Sequence, residues 1–121
     1  MGSQSYKDLM VWQKSIALCT EVYKVCESFP RSELYGLADQ MKRAAVSVSS
    51  NIAEGQARQH LGEFRHFLSV ATGSLAELDT QRTMATNLEL IDSETSNALD
   101  YDIGEIRKML YSLRARIQER S

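Results

Sequence analysis

Apolar residues recur along the chain at alternating spacings of three and four, the period of one helix face, in four separate stretches. In the first, Leu9, Trp12, Ile16, Cys19, Tyr23 and Cys26 form a core seam that runs to Phe29-Pro30, where proline stops the helix. Ser5-Tyr6-Lys7-Asp8 reads as the capping box that starts it. A second row, Val11, Leu18, Val22, Val25 and Phe29, lies on the same helix and widens its apolar face beyond what a monomeric bundle helix needs. Two readings stand for that width. Either neighbouring helices of the same chain cover it, or Val11, Leu18, Val22 and Val25 belong to a subunit interface.

Ser32 is a suitable N-cap for the second helix, with Glu33 in its first turn and Leu34, Leu37, Met41, Ala44, Ala45, Val48 and Ile52 as its stripe, ending near Gly55. A polar row of Gln40, Arg43, Ser47, Ser50/Asn51 and Glu54 shares this helix. Serine and asparagine are poor helix formers, so their mid-helix positions point to close helix approach. The third stripe runs from about Gly62 through Phe64, Phe67, Leu68, Ala71, Leu75, Leu78 and Ala85 to Leu88. Arg82 stands in it where the spacing asks for a hydrophobe, so its cation must snorkel, pair with an acid or face a subunit boundary. The fourth begins after Asp92-Ser93 and carries Leu99, Ile103, Ile106, Leu110, Leu113 and Ile117.

Helices over about 6–29, 33–55, 62–88 and 94–118, joined by short connections, bury their stripes only by packing together, and short links favour antiparallel neighbours. The expected fold is all-α, an antiparallel up-down-up-down four-helix bundle made as a single domain from residues 1–121. Composition agrees: one proline and six glycines in 121 residues are too few turn formers for an all-β domain.

Charge narrows the functional classes. Fourteen Lys and Arg against sixteen Asp and Glu leave a net charge of −2, which lacks the footprint of a dedicated nucleic-acid binder. The charges are ordered along the last helix. Residues 87–105 carry six acids and no base, and residues 106–121 carry five bases against Glu119, a distribution that suits the helix dipole. Cys19 and Cys26 lie two helical turns apart, too far for an intrahelical disulfide, and read as core thiols of a reducing compartment. No signal segment or long apolar run is present, so the expected compartment is the cytoplasm, away from the membrane. A bundle metal site would want two Glu-x-x-His pairs. Glu63 and His66 make one, His60 belongs to no second, and the neighbouring Phe64, Phe67 and Leu68 take the inward positions. No nucleophile, base and oxyanion donor fall together and the glycines form no phosphate loop, so neither catalysis nor a cofactor is expected. A metal-dependent enzyme is the weakest reading.

More specific strings are Leu9-Met10-Val11-Trp12-Gln13-Lys14, Phe29-Pro30, Tyr35-Gly36-Leu37 and the run from Gln40 to Gly55 that contains Lys42-Arg43-Ala44-Ala45 and Ser50-Asn51-Ile52-Ala53-Glu54-Gly55. With Gly73-Ser74-Leu75-Ala76-Glu77-Leu78 and Ile106-Arg107-Lys108-Met109-Leu110, they resemble the bacterial 23S rRNA intervening-sequence proteins over nearly the whole chain. Two positions depart from that pattern: Ser49 where the family often has proline, and Arg82 where it often has leucine.

The resemblance implies a four-helix bundle assembled into a ring-like homopentamer, encoded in some bacteria within insertions in large-subunit rRNA genes, with no defined biochemical activity. A related branch, the accessory proteins of diversity-generating retroelements, is similar to a basic pentameric barrel that binds nucleic acid and a reverse transcriptase. The expectation is therefore a non-catalytic oligomer acting through protein contacts. Its alternative is a nucleic-acid binder using Lys42, Arg43, Arg58, Arg107, Lys108 and Arg114 repeated around a ring. Within the family string, Ser47, Asn51 and Glu54 are expected to join Arg43 or Gln81 in a polar contact that sets helix register or subunit packing, or holds a ligand.

Overall fold

The computed structural model describes residues 5–120, and no strand occurs among them. Four helices follow in order: α1 (Met10–Cys26), α2 (Leu37–Arg58), α3 (Leu61–Asn87) and α4 (Ser93–Arg120). Short 3-10 turns at Tyr6–Asp8 and Arg31–Glu33 precede α1 and α2.

Several boundaries differ from the sequence reading, among them the end of α1, which comes at Cys26 rather than Phe29. Ser5 accepts from the Lys7 N–H at 3.1 Å, but the capped turn closes as 3-10 and the chain is extended at Leu9, so α1 starts only at Met10. That break lets Leu9 turn in against the core. Ser32 lies inside a 3-10 turn, and Gly36 rather than Ser32 precedes the first turn of α2. Gly55 does not end α2; it is buried against α3, and the helix continues to Arg58, where Gln59 takes the left-handed conformation at φ 61°. α4 starts at Ser93 and extends to Arg120.

The helices are antiparallel in sequence order. Cys26 Sγ lies 3.8 Å from the Ala38 carbonyl, joining the end of α1 to the start of α2. Gly55 meets Phe67 and Ser47 meets Ser74, so numbers rise on α2 as they fall on α3. Arg65 reaches Gln118, Asp79 reaches Arg107 and Arg82 reaches Ser96, the same relation between α3 and α4. α1 packs on α2 and α4, α3 packs on α2 and α4, and the backbones of the diagonal pairs stay apart, which makes a square bundle. Met41, Val48, Ile52, Leu68, Leu75, Leu78, Leu99, Ile103, Ile106 and Leu110 fill its axis.

On α1 the two apolar rows exchange roles. Val11, Leu18 and Val22 are in the core with Cys26 and Phe29, and Val25 packs half-buried against it, so this row serves the chain's own core rather than forming an outer apolar face. The outward row is instead Ile16 and Tyr23, with Trp12 and Cys19 half-buried at its edge. Both rows have helical spacing, so periodicity cannot rank them. The decision belongs to α2 and α4, whose joint groove receives the row centred on Leu18 and Val22.

At the start of α4 the Asp92 carboxylate accepts from the Thr95 N–H at 2.7 Å, satisfying a donor the helix itself leaves free. That bond, with the Thr95 side chain second, holds the Asp92 carboxyl below its ordinary 3.8. A carboxyl lowered by folding contributes stability above its unfolded pKa and loses it as pH falls through the folded value. Asp92→Ala should therefore lower the melting temperature at neutral pH, and the gap from wild type should close in strong acid. A gap of equal size at both ends of a pH series of thermal melts would contradict the cap.

Candidate interaction surface

The polar row of the family string separates into three groups. Ser47 Oγ and Ser74 Oγ are 2.7 Å apart across the α2–α3 seam, and Asn51 Nδ2 donates back to Ser47 Oγ at 3.0 Å and to the Ser47 carbonyl at 2.8 Å. Small side chains at this level let the backbones approach, and the hydroxyls and amide satisfy one another inside the seam. Glu54 turns away to Arg58 at 2.8 Å, and Arg43 to Asp39 at 2.9 Å. The single contact expected of Ser47, Asn51 and Glu54 with Arg43 or Gln81 is thus corrected to a triad of Ser47, Asn51 and Ser74. The i,i+4 geometry of α2 supplies nearer partners for both charges. Gln81 Oε1 is buried without a protein partner at the edge of an open cleft of about 350 Å³ shared with Gln40, Arg43 and Glu77.

Arg82, the misfit in the α3 stripe, bridges α3 and α4. Its guanidinium donates to Asp79 at 2.9 and 3.1 Å and to Ser96 Oγ at 2.7 Å, and lies 3.4 Å from Asp100. Asp79 also receives Arg107 at 3.4 Å, and Thr86 closes on Ser96 at 2.8 Å. Of the three fates open to this cation, pairing with acids is the one realised.

The α1–α2 side of the bundle keeps an apolar strip outside. Ile16, Tyr23 and Val46 are 39%, 43% and 41% exposed. Lys42 places its ammonium 5.1 Å from the centre of the Tyr23 ring, and the antiparallel register then sets Val46 level with Cys19, between Ile16 and Tyr23. The sequence reading missed this strip because it placed Ile16 and Tyr23 inside. It also passed over Tyr101 and Tyr111, exposed on α4, for which the only signal is an aromatic standing off the apolar seam.

Four of the six cations proposed to contact nucleic acid already face partners within the chain. Lys42 covers Tyr23, Arg43 pairs with Asp39, Arg58 pairs with Glu54 and Glu63, and Arg107 pairs with Asp79. The hydrogen bond that Arg43 donates to Asp39 raises its pKa, and the one Arg58 donates to Glu54 raises its own, so both stay charged. Arg114 has a buried Nε with no partner, and Lys108 stands at the rim of a trough between α1 and α4. Along α2 alone, Lys42 and Arg58 lie about 24 Å apart at the rise of an α-helix.

Glu63 and His66 are exposed, with Glu63 3.6 Å from Arg58 and the His66 ring edge-on to Phe67. Among the described residues no three His, Cys, Asp or Glu side chains are grouped to hold a metal. Both thiols are free. Burial pushes each up from its ordinary pKa, with Lys42 a lesser opposing influence on Cys26, and a protonated thiol is a poor nucleophile. No helix among the described residues is long and apolar enough to cross a membrane.

Comparison with known proteins places this geometry. The family model described as 23S rRNA-intervening sequence protein matches residues 7–112. A solved structure, a protein of unknown function from the S23 ribosomal protein family of Bacteroides thetaiotaomicron, shares the fold with a TM-score of 0.81 at 22% sequence identity. The match covers 87% of this chain and 95% of that one. No match was found among curated proteins.

Proposed function

The chain belongs to the 23S rRNA-intervening sequence protein family, and from that premise we propose that it is a non-catalytic, self-associating bundle of the cytoplasm, whose working unit is a ring of five copies acting through protein contacts. The observation that carries this reading is the α1–α2 strip. After the core has closed, Ile16 and Tyr23 of α1 and Val46 of α2 remain partly exposed, where a second copy can take them out of water. The number five rests on the family resemblance.

Light scattering at micromolar concentration tests it. Five copies of the 13.7 kDa chain give a mass of about 68 kDa. Val46→Glu, a change to a residue that does not enter the core, is expected to reduce that mass while leaving the helical circular dichroism intact. A wild-type mass near 13.7 kDa would sink the proposal. The nucleic-acid reading is weaker, because three of its six cations already have carboxylate partners on the same chain.

A further inference from the structure

At the base of the bundle, between the start of α1 and the second half of α4, lies a trough of about 310 Å³. Its floor is apolar, made by Leu9, Val11, Met109 and Leu113, and Lys108 and Arg116 stand along it. Neither cation has an ion pair among the described residues. The first half of α4 presents the opposite character. Glu94, Ala98 and Tyr101 follow one another at spacings of four and three on its outer face, and Tyr101 is 68% exposed. Glu94 and the half-buried Asp102 also lack an ion pair among the described residues. At 100° per residue this line continues through Glu105, Lys108 and Ser112 into the trough, so acid, aromatic, apolar floor and base lie on one continuous helix face.

We infer that this face docks on the same face of a second copy, with the two α4 helices antiparallel about a two-fold axis at Glu105. The pairing deepens the self-association proposed above and rests on it. An antiparallel register centred on residue 105 sets Glu94 opposite Arg116 of the second copy and Asp102 opposite its Lys108. It lays Tyr101 over Met109 at the floor of the second copy's trough and puts Ala98 against Ser112. The two-fold axis repeats each of these contacts, as an isologous interface requires. The charge order of α4 selects this direction: a parallel pairing sets acid on acid and base on base, whereas the antiparallel one opposes them along the whole length. One like-charge meeting remains, Glu105 with its own copy at the axis. A ring uses a different, heterologous contact, so the α4 pairing joins two bundles or two rings and doubles their mass.

The experiment is a charge swap read by sedimentation at low ionic strength, where partly exposed ion pairs are least screened. Arg116→Glu and Glu94→Lys, each alone, should halve the wild-type mass, and the double variant carrying both should restore it. Tyr101→Ser should halve it as well, while Glu105→Gln should raise the paired fraction at equal concentration. All four positions are exposed or half-exposed, so helical circular dichroism should stay at wild-type strength in every variant. If wild type is oligomeric and the single charge reversals leave its mass unchanged, or the double variant stays halved, the α4 pairing is wrong and self-association through the α1–α2 strip stands. A monomeric wild type overturns both.

Discussion

Gly55→Val is expected to destabilise the fold by about 3 kcal/mol, at the upper end of the cost of overpacking a well-filled interior. A Cβ at this position comes within 2.7 Å of Phe67 Cβ, 3.2 Å of Phe64 Cδ1 and 3.3 Å of the Phe64 carbonyl oxygen. Two of those atoms belong to the backbone or its first carbon and cannot swing aside, so α2 and α3 must separate where Gly55 now brings them together. Separation loosens the Ser47–Ser74 bond two turns away, which depends on the same closeness. Gly55→Ala should cost less, because alanine's helix propensity returns about 1 kcal/mol over glycine. The control is Gly73→Ala on α3, where nothing lies within 4 Å of the added carbon. There the propensity gain acts alone, and the protein should become more stable by about 0.5–1 kcal/mol. Urea unfolding of the three variants measures all of this, and a Gly55→Val protein as stable as wild type would show that the seam is set elsewhere.

Arg82→Ala is expected to cost about 2–3 kcal/mol, within the range for removing one member of a largely buried hydrogen-bonded pair. Its side chain is 16% exposed and that of Asp79 is 32%, so water does not readily replace the lost partner. Truncation leaves Asp79 with Arg107 alone, at 3.4 Å, and leaves the buried Ser96 hydroxyl with Thr86. Asp100, 58% exposed, rehydrates and contributes little. Arg82→Leu should lose less than alanine because it refills the apolar stripe. A double-mutant cycle between Arg82 and Asp79 should return a coupling well above that between Arg82 and Asp100. Equal couplings would contradict the buried character of the first pair.

The four stripes and the class of fold were legible in the chain because they depend on neighbours within a turn or two. Arg82 was legible as an anomaly, since a cation in an apolar row has few fates, but its choice of Asp79, Asp100 and Ser96 needed the approach of α4. Gly55 was misread as a stop because a glycine at the foot of a helix carries the same local signal whether it ends the helix or admits a neighbour. The Ser47, Asn51 and Glu54 row looked like one site on a helical wheel. In space, Ser47 and Asn51 face the small Ser74 across the seam, while Glu54 finds a cation one turn along its own helix.

What the chain alone determined, then, was local: where helices form, which faces are apolar, and that acids lead and bases trail along α4. Which of two apolar rows on α1 goes inside was decided only by the tertiary structure. Rows of equal period bury equally well against an unspecified partner, and the groove between α2 and α4 has room for one of them. The row centred on Leu18 and Val22 fills it. Ile16 and Tyr23 are left outside by exclusion, beside a residue of α2, Val46, that no local pattern connects to them.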